Sequence, residues 1–190
     1  MGFWITIIII LFVLGSMMAL KPNGIDQRLD KLRMSARRLQ LNPKLVVCPD
    51  WIKGKDNEYG RGMIGQYCLI IDNVKLPQSR YQVIDGQWRP YASIDNNEQP
   101  IHANFSLDKT PLALPTAIEP FVKGLAVKAN SIIVYWEDIN YVRPITNPNY
   151  KTGAIEPDLL ALKQNLEQWA LQMQASSHGL SKSSMARTGT

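Results

Sequence analysis

Two histidines and two cysteines are the only imidazole and thiol groups in this chain of 190 residues. Cys48 and Cys68 stand 20 positions apart. Neither has a further ligand two to four residues away, so the spacing of a zinc site is missing. No serine sits in a G-x-S-x-G elbow, and neither H-R-D nor D-F-G occurs, which excludes the signatures of α/β-hydrolases and protein kinases. There is no internal repeat, which excludes a solenoid. The main body also lacks a charge excess. Residues 21–44 hold seven basic and two acidic residues and so carry the whole net charge of +5, while residues 45–190 hold 14 of each sign. A nucleic-acid surface on the main domain would need its own basic patch, so nucleic acid is not expected as a partner.

What is present begins with a long apolar run. Residues 3–20 contain no charge. At about 1.5 Å per residue they form a helix of roughly 27 Å, close to the thickness of a bilayer's hydrocarbon core. Trp4 stands where an interfacial aromatic would sit, Lys21 marks the other end, and Pro22 interrupts the helix. A cleaved signal peptide is the rival reading. It needs a basic segment before the apolar run and small residues at the cut, and here nothing basic precedes the run and Met17 fills one of those positions. The expectation is an uncleaved, single-pass anchor over residues 1–20 in a cell inner membrane. The basic residues after it would keep the C-terminal domain cytoplasmic.

Residues 21–43 follow as a basic juxtamembrane helix. Asn23 is a candidate cap, and Ile25, Leu29, Leu32, Ala36 and Leu39 form one apolar stripe at steps of three and four. Around the stripe stand Arg28, Lys31, Arg33, Arg37 and Arg38. With Trp4 and Lys21, these make up the expected membrane-interface residues, and the helix is expected to be held loosely, free to meet lipid or a partner.

Residues 44–175 read as a globular domain. Strand-like runs occupy 44–48, 66–72, 80–84, 88–91 and 131–136, and Asp85-Gly86 reads as a hairpin turn. A short helix is predicted over 116–128 and a long loop over 92–116. From residue 156 to about 174, Leu159, Leu162, Leu166, Trp169 and Met173 mark an amphipathic helix. A tail over 176–190 is expected to be disordered. The predicted architecture is α+β: a transmembrane and a basic amphipathic helix, then a small, mostly antiparallel sheet with helices on one face.

Residues 60–65 match G-x-G-x-x-G, but a polar stretch precedes them and a strand follows, the reverse of what a phosphate-cradling loop needs, so they read as a flexible loop. His102, near Ser106 and Asp108, is the one histidine-centred cluster, and a membrane-tethered hydrolase using it is the alternative function. Residues 104–106 match a glycosylation sequon, which has no meaning in a cytoplasmic domain. Glu137 and Asp138 are adjacent on an extended segment and point apart, so they read as a strand-ending turn.

Leu20-Lys21-Pro22-Asn23-Gly24, followed by Arg28, Lys31 and Arg33, resembles in layout the small YajC-type accessory subunit of the bacterial preprotein translocase. It also resembles other small single-pass inner-membrane proteins. The resemblance covers residues 1–45 and transfers no functional residue. It implies an accessory protein of an inner-membrane complex, with a lipid bilayer and another inner-membrane protein as partners; the lack of a catalytic or metal-ligating constellation in its proper context adds the expectation of a non-enzymatic protein with no cofactor or metal.

Overall fold

The cap at the end of the basic helix sets how the chain enters its sheet. The computed structural model describes residues 2–19, 23–91, 107 and 109–185. Helix α1 spans Gly2–Ala19 and α2 spans Gly24–Arg38. At the end of α2, Leu41 N–H donates to Ala36 C=O at 2.9 Å and Gln40 N–H to Arg37 C=O at 3.0 Å. These two bonds make a Schellman cap with Gln40 in the left-handed region at φ 65°. Leu41 and Ala36, buried together beneath it, supply the apolar contact that accompanies such a cap. The chain then reverses directly into strand β1, Pro43–Val47.

Five more strands follow: β2 Met63–Ile70, β3 Leu76–Ile84, β4 Gln87–Pro90, β5 Val122–Ala129 and β6 Ser131–Trp136. They form one six-stranded sheet in the order β1-β2-β6-β5-β3-β4, every pair antiparallel. Helix α3, Asp138–Val142, leaves the end of β6, and α4 runs Ile155–Met185. The fold class is thus α+β, built on an antiparallel sheet with helices.

Alternate strand residues, among them Tyr67, Leu69, Leu125, Ile132 and Val134, are buried in one cluster with side chains of α2, α3 and α4. The residues between them, Ile64 and Tyr135, pack on the other side with Cys48 and Ile52 from the segment joining β1 to β2.

Among the described residues, no helix is long and apolar enough to cross a membrane. The expected transmembrane anchor is corrected on this finding. The single-pass, inner-membrane placement of the chain goes with it, as does the cytoplasmic side assigned to its domain.

Three further expectations change. α2 is not loosely held, because Leu32 and Ala36 from its stripe are fully buried in the main core. The predicted helix over 116–128 is mostly β5. Gly124, a poor helix former, sits at a register shift of that strand, where a Cβ would come within 3.0 Å of Tyr81 C=O and of the Ile52 side chain; glycine there admits a close approach. The last helix continues to Met185, past residue 176 where a tail was expected, and no proline follows Pro157 to stop it. The hairpin turn is found as read: Asp85 and Gly86 both take positive φ, 52° and 69°, between β3 and β4.

Candidate functional site

Among the described residues, the one charged side chain in the core is Asp138. Three elements bring its surroundings together. β6 ends at Trp136, and Asp138 opens α3 two residues later. Opposite Trp136 in the register stands Gly65 of β2, and it has to be glycine: a Cβ there would lie 2.8 Å from Asp138 Cγ and 3.0 Å from Trp136 C=O. Two residues along the same face of β2, Tyr67 O–H donates to Asp138 Oδ2 at 3.3 Å. From α2, Arg33 donates through Nε at 3.0 Å and places Nη2 at 2.9 Å from the same oxygen. Arg33 retains 20% side-chain exposure and Asp138 only 3%.

Burial raises the Asp138 carboxyl above its ordinary value, and the Arg33 guanidinium and the Tyr67 hydroxyl pull the other way. Tyr67 is itself pushed well up, by burial first and by the neighbouring Asp138 charge second. Both donors converge on one oxygen in a packed wall, with the Trp136 ring edge-on to Tyr67 at 5.1 Å. The arrangement ties α2 to the sheet and to α3. A general acid or base would need an open path to a substrate proton. Glu137, by contrast, accepts from Asn140 Nδ2 at 2.7 Å and faces Lys123 at 3.7 Å. The adjacent acids point apart, as their positions suggest. Sequence reasoning missed the Asp138 site: Gly65 read as the end of a flexible loop, whereas it lies inside β2, where a glycine marks a close approach.

A surface groove of about 460 Å³ opens elsewhere, between the start of α2 and the segment after α3. It is lined by Asn23, Ile25, Arg28, Arg143 and Ile145 among others. Neither a nucleophile nor a carboxylate lines it.

Of the residues expected at a membrane interface, Arg33 alone is drawn into the core among the described residues. Trp4 is exposed on α1, edge-on to Phe3. Arg28 lies over the Tyr150 ring at 5.4 Å, and Arg33 is turned inward to Asp138. Lys31, Arg37 and Arg38 are exposed, and Arg37 touches the Met34 sulfur at 3.7 Å. Lys21 lies outside the described residues, as do His102, Ser106, Asp108 and the sequon. Gly60 and Gly62 take positive φ in a turn that leads into β2. Cys48 and Cys68 are unpaired thiols, raised in pKa mainly by burial. No metal-holding group of His, Cys, Asp and Glu occurs among the described residues. No family model, curated protein or solved structure matches the chain.

Proposed function

We propose that this chain is a non-enzymatic interaction protein: its α+β domain is a rigid platform, and α1 is the segment that a larger complex covers. The surface of α1 carries this reading. Ile5, Ile8, Ile9, Leu11, Val13 and Leu14 are all exposed, and at about 100° per residue they lie on every side of the helix. A helix apolar all round is stable only where something buries it, and exposed apolar surface on this scale marks an interaction site. The non-enzymatic half of the reading is supported by the Asp138 cluster, whose donors are already engaged, and by a groove without catalytic groups.

Light scattering on the full chain and on a chain lacking residues 1–19 tests the reading. The full chain is expected to associate. The shortened one should be monomeric, with unchanged near-ultraviolet dichroism. A full chain that stays monomeric and binds no apolar dye would overturn the role of α1. Labelling of Ser106 by a fluorophosphonate would overturn the non-enzymatic part and revive a hydrolase built on His102.

A further inference from the structure

The two edges of the sheet are treated differently. At β4 the segment around residues 107–111 covers the edge: Trp88 N–H donates to Thr110 C=O at 3.1 Å, Lys109 N–H to Trp88 C=O at 2.9 Å, and Gln87 bridges Pro111. At β1 no described strand or bridge lies outside the ladder to β2. Cys48 N–H donates to Gly62 C=O at 2.9 Å. Counting back by twos along an antiparallel ladder, residues 46 and 44 face β2, so Leu45 and Val47 turn their N–H and C=O groups outward. Their side chains are bare as well. Leu45 is 50% exposed, Val47 69%, and Met63, which pairs with Val47, 56%. An open edge with apolar side chains is a template for another strand.

Charge says which strand. Residues 31–47 hold five basic residues and no acidic one. Arg33 is taken up by Asp138. Lys31, Arg37, Arg38 and Lys44 are exposed, with no ion pair among the described residues. A second copy of this chain, pairing β1 with β1, would bring two such cationic edges together, which like-charge repulsion opposes.

We propose that β1 is the docking strand for an extended, acidic segment of a partner protein, which adds to the sheet beside Leu45 and Val47. The inference rests on the reading of the chain as an interaction protein and names the chemistry of one partner. Main-chain hydrogen bonds at Leu45 and Val47 would supply affinity. Leu45, Val47 and Met63 would receive apolar side chains from alternate positions, and the cations of α2 and Lys44 would select acidic residues between them.

The probe is a fluorescein-labelled peptide of alternating Glu and Val, followed by anisotropy with the full chain. It is expected to bind, less tightly as salt rises, while a Lys-for-Glu version does not. Leu45→Pro removes an outward N–H without touching the ladder to β2, so thermal unfolding should hold while affinity falls at least about tenfold. Should Leu45→Pro not fold, Arg37→Glu with Lys44→Glu replaces it; that pair should weaken binding and flatten its salt dependence. Absence of peptide binding, equal binding of the Lys version, or equal binding by the variants overturns the proposal. So does dimerisation of the chain that Leu45→Pro abolishes, since a second copy would then own the edge. Association through α1 does not involve β1. A chain that still associates through α1 but ignores the peptide loses this inference alone.

Discussion

A single carboxyl oxygen, Oδ2 of Asp138, joins α2, α3 and β2. Removing one member of a buried ion pair costs more than the pair contributes, because the survivor is stranded. Arg33→Ala is therefore expected to lower unfolding free energy by about 3 kcal/mol, the low end for such changes because Arg33 is partly solvated. Arg33→Met with Asp138→Asn should recover most of that loss in urea denaturation; a double variant no more stable than Arg33→Ala would contradict the stranded-charge account. The pH dependence has a definite sign. Burial holds the Asp138 carboxyl above 3.8 in the fold, so over that interval the folded chain binds a proton that the unfolded chain releases. The contribution of this group is then full below pH 3.8 and is lost as pH rises through the folded value. The stability difference between wild type and Asp138→Asn should accordingly shift against wild type as pH climbs through that window, and a flat difference would disprove the raised carboxyl. Gly65→Ala should destabilise by about 1–3 kcal/mol, since its methyl group meets Asp138 and the Trp136 carbonyl with no room to give.

At the scale of elements, the two amphipathic helices are both core. Leu32, Ala36 and Leu41 are fully buried, so a chain starting at residue 43 is expected not to fold, and a cooperative melt from it would return α2 to the surface. In α4 the stripe is unequal. Leu162 is fully buried, whereas Trp169 is only partly so and lies edge-on to Trp88 at 5.8 Å. Leu162→Ala should cost about 3 kcal/mol, while Trp169→Ala should fall well below the roughly 3–5 kcal/mol of a fully buried tryptophan. Comparing the two urea midpoints decides the order. Gln40 occupies the cap position that glycine prefers, and Gln40→Gly is expected to raise stability by about 0.5 kcal/mol, the relief of a left-handed side chain less the added freedom of the unfolded glycine. These helices were legible because a stripe at steps of three and four survives any packing arrangement. β5 was not, because its glycine answers to neighbours distant in sequence, Gly124 to Tyr81 and Ile52, while Pro120 belongs to the turn that immediately precedes the strand.

At the scale of the molecule, an apolar helix and an open sheet edge sit on a chain whose internal polar groups are largely paired. Alternation and periodicity along the sequence determined the α+β class, the β3–β4 hairpin, the strand at 131–136 and the stripe of α4, since each depends on residues a few positions apart. The concentration of charge in residues 21–44 was equally plain. Tertiary structure decided where that charge goes. Arg33 turns inward because Asp138, 105 positions later, is brought beneath it by a glycine in β2, while Lys31, Arg37, Arg38 and Lys44 remain outside. It also decided which edge of the sheet is covered, since strand order follows from the packing of whole strands and leaves no mark on the local pattern of any one of them. Composition alone suggested that the first helix spans a bilayer; among the described residues no helix is both long and apolar enough to cross one, a joint condition on folded length and composition that a run of apolar letters does not settle.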